Sequence, residues 1–293
     1  MKRTLSWLLI GLLASSGAHA AAAAPSCDRE CLRSQVTQLL WSLVKHDSAR
    51  VPVAATVRIT EDAVEKPLKD VALFRSVTAL RGFRQDFIDE RAGVVGAHVM
   101  VEESGAPVML AVRLKVVGNQ LSEIELVATR SRSDGLIFNI DGLKAASAMM
   151  NYAPRPEQLN TREQALQIAL KYPEGLARAE TFAAVNAPFT AEAYRYENGQ
   201  IMAGPDCKFA PGCENIATQP LTIFKRLGAP LVRVVLVDER MGIVWLRLAW
   251  GVQREGGDQL TAFEAFKVFD GKLHAVEAFI RLLPIEKRNG GWE

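Results

Sequence analysis

The sequence predicts an α+β protein built from two tandem copies of one unit, and three observations carry that prediction. DERAGVV at residues 89–95 returns as DERMGIV at 238–244. PVAATVRITED (52–62) matches PFTAEAYRYEN (188–198), and KVVGNQLSEIE (115–125) matches KVFDGKLHAVE (267–277), in the same order. The offset between matched stretches grows along the chain, as expected if the second copy carries loop insertions, which surfaces tolerate. Each copy also runs from an amphipathic helix through a short strand to four β-rich segments.

The chain opens with Lys2 and Arg3, continues through LSWLLIGLLA and reaches Ala18-His19-Ala20, the small-x-small form of a signal-peptidase site. Residues 1–20 are therefore read as a signal peptide, and the mature protein is expected to be soluble and periplasmic or secreted. No later stretch approaches the roughly 18 apolar residues of a membrane helix, so no membrane contact is expected once the signal is removed. Taking Lys2 and Arg3 from the 35 basic residues leaves 33 against 33 acidic ones. Such a balance excludes the basic stripe that a nucleic-acid binder uses to displace counterions. Four cysteines in an exported chain point to disulfides, since neither pair has a zinc-type CxxC spacing. Three connectivities are possible, of which the one with two local bridges, Cys27 with Cys31 and Cys207 with Cys213, is favoured over bridges between the copies.

In the first copy Leu32, Val36, Leu39, Leu40, Leu43 and Val44 recur at helical spacing. The strand VRIT, a short helical region at VALFRSV and four β segments from GFRQDFID to LSEIELVAT follow. In the second copy T-R-E-Q at 161–164 has capping-box form. Pro173 is expected to kink or end that helix, with a second helical stretch through LARAETFAAV. YRYEN, an irregular cysteine loop and four more β segments complete the copy. The repeated DER-A/M-G is read as a hairpin corner: Asp89 or Asp238 begins the turn, and Gly93 or Gly242 accepts positive φ. Residues 131–157 read as a surface linker with one helical turn at LKAASAMM. The expected organisation is a first domain at 26–130, a second at 158–284 and a polar tail at 285–293.

The order of helix, short strand ending in an acidic residue, second helical region and antiparallel strands resembles the nuclear-transport-factor-2-like fold, also called SnoaL-like. CDRECL, LVKHD and PVAATVRITED in the first copy carry the resemblance, with RYENG and KVFDGKLHAVEAFIRLLP in the second. These stretches also resemble an uncharacterised secreted subgroup with paired copies and a CDRxCL start. The resemblance implies two cone-shaped domains, each a curved antiparallel sheet wrapped on N-terminal helices. It further implies that the cones pair sheet to sheet as an intrachain pseudo-dimer; further oligomerisation is left open. Members of that superfamily include ketosteroid isomerase, scytalone dehydratase and polyketide cyclases as well as proteins that only bind, so the fold awards no activity by itself.

A cofactor-free enzyme of this kind needs a base and a donor for developing negative charge in a water-poor pocket. His98 lies in the apolar strand VVGAHVMV, on the face of Gly96 and Met100, and aligns with Arg247 in the second copy. It is read as a satisfied histidine or as a pocket acid or base. Arg247 shares a face with Trp245 and Ala249, while Glu264 lies on the neighbouring strand. The two charges are read as a salt bridge or as the polar lining of a pocket, with Trp245 or Trp250 as its apolar wall. Tyr194 and Tyr196 point one way and Arg195 the other, so the phenols could face a pocket as donors. Glu61 and Glu197 recur in both copies and are read as structural turn contacts; His46 is read as a cap on the first helix.

GxSxG, HExxH, Walker and GxGxxG signatures are absent, so no nucleotide, flavin or other cofactor is expected and nothing asks for a metal. The preferred expectation is an exported, cofactor-independent lyase or isomerase acting on a small, largely apolar, aromatic or polyketide-like molecule. The second copy is the preferred place for its site, and the candidate acid-base groups are His98 in the first copy and Tyr194, Tyr196, Arg247 and Glu264 in the second. The alternative is a non-catalytic module that binds a ligand or a partner.

Overall fold

In this computed structural model the described residues are 27–143, 147–251, 258–287 and 292. The expected signal peptide at 1–20 and residues 288–291 and 293 of the expected tail lie outside them.

Helix α1 (Arg29–Val44) starts at Asp28, whose side chain accepts from the Cys31 amide at 2.9 Å. Cys27 and Cys31 are disulfide-bonded across this first turn. Leu32, Val36, Leu39, Leu40 and Leu43 are all buried, each worth roughly 1.5–3 kcal/mol of apolar transfer. Beyond the helix His46 turns into a left-handed conformation, and its ring bonds the Phe74 carbonyl through Nδ1 instead of capping α1. Strands β1 (Val53–Glu61) and β2 (Val64–Glu65) lead to the short helix α2 (Leu73–Ser76). Then come β3 (Val77–Asp89), β4 (Val94–Glu103), β5 (Ala106–Val117) and β6 (Gln120–Thr129). The sheet order is β2-β1-β6-β5-β4-β3, with β1 parallel to β6 and the other pairs antiparallel.

The connection contains α3 (Arg132–Gly135) and α4 (Ala148–Asn151). It is more than a surface linker, because Leu143 and Met150 are buried between the two sheets. Helix α5 (Arg162–Arg178) opens with the expected capping box of Thr161 and Gln164. It runs through Pro173 without ending there, and the proline is buried. The helical stretch expected next reduces to a 3-10 turn at Phe182–Val185. Strands β7 (Phe189–Glu197) and β8 (Gln200–Ala203) precede α6 (Thr222–Lys225). β9 (Leu231–Asp238), β10 (Ile243–Ala249), β11 (Asp258–Phe269) and β12 (Lys272–Pro284) complete a second sheet of order β8-β7-β12-β11-β10-β9. It repeats the first strand for strand. The fold is thus α+β with two six-stranded sheets, each with its own helices and apolar core.

A third apolar cluster lies between the sheets and includes Phe87, Met100, Trp245, Phe263 and Phe279. The repeated DER turns bind this junction reciprocally. Asp238 receives Nη1 and Nη2 of Arg29, from α1, at 2.9 and 2.8 Å, together with the Ile88 amide at 3.0 Å. Asp89 receives Nη2 of Arg162, from α5, at 2.6 Å, together with the Val237 amide at 3.0 Å. Each aspartate also holds its own turn, through the Ala92 amide or the Met241 amide. The hairpin-corner reading describes only half of what these aspartates do. Gly93 and Gly242 have φ of +62° and +59°, and their carbonyls accept from Val116 and Val268. Lys115 and Lys267, one residue earlier, donate to the Ala92 and Met241 carbonyls. The repeated DER and KV stretches therefore form one structural unit.

Candidate functional site

The ladder registers allow the two halves to be compared position by position. Ile59 stands opposite Ile124 as Arg195 stands opposite Val276. Val112 pairs with Ala97 and Leu126 as Glu264 pairs with Leu246 and Ala278. Leu39 and Tyr172 occupy the same position in α1 and α5, and Val101 and Trp250 lie equally far along from Val94 and Ile243. Leu39, Ile59, Val101 and Val112 belong to the first apolar core. Their counterparts Tyr172, Arg195, Trp250 and Glu264 make the interior of the second half aromatic and ionisable.

Arg195 is the centre of this cluster. Its Nη1 donates to the Tyr172 hydroxyl at 3.2 Å and its Nη2 to Gln219 Oε1 at 3.0 Å, while Nε lies 3.0 Å from Glu197 Oε1. The guanidinium also sits 5.7 Å from the centre of the Phe224 ring. Burial pushes the Glu264 carboxyl up to about 8; the charge of Glu197 adds to the rise and Arg195 opposes it. Glu264 Oε2 and Trp250 Nε1 are buried without a hydrogen-bond partner among the described residues. Burial likewise raises the Tyr172 phenol, which stays neutral and accepts from Arg195.

Arg195 and Glu197 open onto a cavity of about 670 Å³. Its other walls are mainly apolar and include Phe138, Met202, Phe209, Phe224 and Leu260. Glu264 and Tyr172 stand behind the two ionic groups and do not line the cavity. In the first half the matching glutamate, Glu61, is tied down by the Ala72 and Leu73 amides and by Lys66. Glu197 instead faces the cavity, so the turn-contact reading holds for one copy and not for the other.

The five residues expected to converge do not. His98 is buried between the sheets, stacked on Phe279 at 4.2 Å, and its Nε2 accepts from Trp245 Nε1 at 3.3 Å. Burial pushes it down to about 3, so it is a neutral packing group and not a pocket acid or base. Arg247 and Glu264 form no salt bridge, because Leu246 is the residue opposite Glu264 and alternation sends Arg247 to the inter-sheet face. Among the described residues, Glu125 and Arg233 are charges that act on Arg247. Trp245 is also inter-sheet and fills the space above Gly96, where any added Cβ would collide with the indole. Trp250 does reach the second interior, stacked with Phe224 at 6.4 Å.

Tyr194 and Tyr196 line a different cavity, of about 540 Å³, between the connection and the second sheet. There the Tyr194 hydroxyl donates to Glu277 at 2.9 Å and lies 2.6 Å from Ser147 Oγ. Alternation was right that the tyrosines and Arg195 oppose one another, but the arginine is the one that faces the polar interior. Cys207 and Cys213 are disulfide-bonded.

Against known proteins, residues 158–280 match the profile of a family described as a domain of unknown function (DUF8021). No curated protein matches the chain. Among solved structures, a de novo designed protein with a curved β-sheet is similar at 18% identity and a TM-score of 0.29, covering 35% of this chain and 88% of that one. A protein described as a ketosteroid isomerase from Kribbella flavida is similar at 11% identity and a TM-score of 0.26, with 35% and 80% covered.

Proposed function

We propose that the second half carries a cofactor-independent acid-base site, of lyase or isomerase type, for a small, largely apolar, aromatic or polyketide-like molecule. One observation carries the reading: positions that are Ile59 and Val112 in one half are Arg195 and Glu264 in the other, beside a cavity large enough for such a ligand. Glu197, at the cavity wall, takes a proton from carbon next to a carbonyl. The electron pair moves onto the carbonyl oxygen, and Arg195 faces the negative charge that develops there. The proton returns at another carbon in an isomerisation, or the electron pair expels a leaving group in a lyase reaction. Glu264 acts as a positioning group: protonated at neutral pH, it leaves Arg195 with a single carboxylate to balance.

The scaffold proposed for this chemistry is a pair of nuclear-transport-factor-2-like cones joined as an intrachain pseudo-dimer. Repeated strand order and the reciprocal Arg29–Asp238 and Arg162–Asp89 pairs support it. Two disulfides fit an extracytoplasmic compartment, in keeping with export by the N-terminal signal. A second reading, a binding module without turnover, is favoured by one feature: Glu197 is already paired with Arg195.

Proton exchange into heavy water, followed by NMR on a panel of small aromatic and polyketide-like ketones, separates the readings. Catalysed exchange that drops about a hundredfold or more in Glu197→Gln is expected for the enzyme. Ligands that bind in the cavity without exchange would establish the binding module instead.

A further inference from the structure

The charged centre of the cavity lies on repeated strands, but much of its apolar wall does not. Leu136, Ile137 and Phe138 come from the connection between the halves, and Phe209, Ala210 and Pro211 from the segment between β8 and α6. In the first half the corresponding step from β2 to α2 is short and carries no cystine. The longer segment is a built structure. Cys207 and Cys213 are both fully buried and bridged, and the loop is fastened by Gly204 N to Cys213 O at 2.8 Å and Cys207 N to Gly204 O at 2.9 Å. At its far end Gln219 accepts from Arg195 and donates to the Met202 carbonyl at 2.9 Å. The same insertion thus touches the charged centre and supplies the outer wall. Phe209 lies on the bridged loop, lines the cavity and is nevertheless 55% exposed.

We infer that Phe209, held over the cavity by the Cys207–Cys213 bridge, is a specificity-determining residue that selects ligands with a flat aromatic body. This rests on the reading of the cavity as the ligand site. A flat ring gains from a facing aromatic wall beyond the area it buries, whereas a flexible aliphatic chain gains only the area. With Arg132 at the wall and Arg195 balanced by Glu197, the preferred ligand is an aromatic molecule with one negative charge.

The test uses the full mature chain and two probes, fluorescent 8-anilinonaphthalene-1-sulfonate as the flat aromatic anion and decanoate as an aliphatic competitor. Phe209→Ala should weaken the aromatic probe about tenfold and decanoate about threefold or less. The thermal midpoint should not move, since the ring is exposed. Replacing both Cys207 and Cys213 by serine should reproduce the loss with Phe209 still present; if that variant fails to fold, Phe209→Ala decides alone. Equal weakening of both probes, or none, overturns the inference and leaves the cavity reading standing. Leu227→Trp, which fills the cavity, tests the reading beneath it: aromatic-probe binding that survives this change lies elsewhere, and both conclusions fall.

Discussion

The two halves share strand order, register and turn chemistry, yet one interior is apolar and the other holds a buried arginine between carboxylates. Leu39, Ile59, Val101 and Val112 need nothing but close packing. Tyr172, Arg195, Trp250 and Glu264 leave polar atoms to satisfy, and three of them, Arg195 Nε, Trp250 Nε1 and Glu264 Oε2, make no hydrogen bond among the described residues. Buried ionic groups of this kind do not raise stability, so the difference teaches that the second interior carries a cost that the first does not, and the proposed site gives that cost a reason. At the junction the relation reverses: there the halves behave alike, each supplying an arginine and an aspartate to the other.

The largest effects are expected where the two halves are equivalent. Asp238→Ala strips buried Arg29 of its carboxylate and leaves the Ile88 and Met241 amides unmet, at a cost of about 3–5 kcal/mol by chemical denaturation. Asp89→Ala should cost less, because Arg162 is more exposed than Arg29 and keeps Glu239 at 3.2 Å, whereas Arg29 keeps Glu90 at 3.8 Å. If the two variants cost the same, the clasp is more symmetric than its burial indicates.

Trp245→Ala should cost about 3–5 kcal/mol, and Gly96→Ala about 1–3 kcal/mol through overpacking, although these residues occupy matching positions. A Gly96→Ala protein as stable as the parent would show that the indole can move aside. Replacing the ionic cluster by apolar residues, with Arg195→Ile and Glu264→Val as in the first half and Glu197→Leu so that no carboxylate is left unpaired, should be neutral or stabilising by about 1–4 kcal/mol and should abolish ligand binding. Destabilisation would mean that the ionic cluster holds the half together.

The smallest effect is a pH dependence. The folded-state value of Glu264 is raised to about 8 from 4.5, so its contribution to stability is complete below about pH 4.5 and is lost as pH rises through about 8. The parent should therefore lose stability relative to Glu264→Gln between pH 5 and pH 9. Turnover or binding should fall above about pH 8 in the parent, where a second carboxylate begins to compete for Arg195, and that fall should vanish in Glu264→Gln. A profile unchanged by the substitution would separate Glu264 from the site.

Much of the candidate site was legible in principle. The aligned stretches PVAATVRITED and PFTAEAYRYEN place Ile59 over Arg195, and a change from apolar to cationic at a strand position is the signal that one interior has been altered. The tyrosines beside it are equally eligible by pattern, because alternation separates two faces without saying which face is inside. Gln219 and Phe209 gave no such signal, since they lie in an insertion with no counterpart to compare. His98 in an apolar strand read as a candidate base because a sequence does not show that a second sheet covers that strand.

By itself the sequence determined the repeat, the helix starts, the positive-φ turns at Gly93 and Gly242 and the two local cystine spacings. All of these depend on residues within a few positions of one another, where backbone sterics and hydrogen bonding act. Only the tertiary structure decided which face of each strand meets its own helices and which meets the other sheet, because burial depends on elements far away in the chain. That choice placed Arg195 and Glu264 in the second interior, sent Arg247 and His98 to the junction and gave the two repeated aspartates their partners.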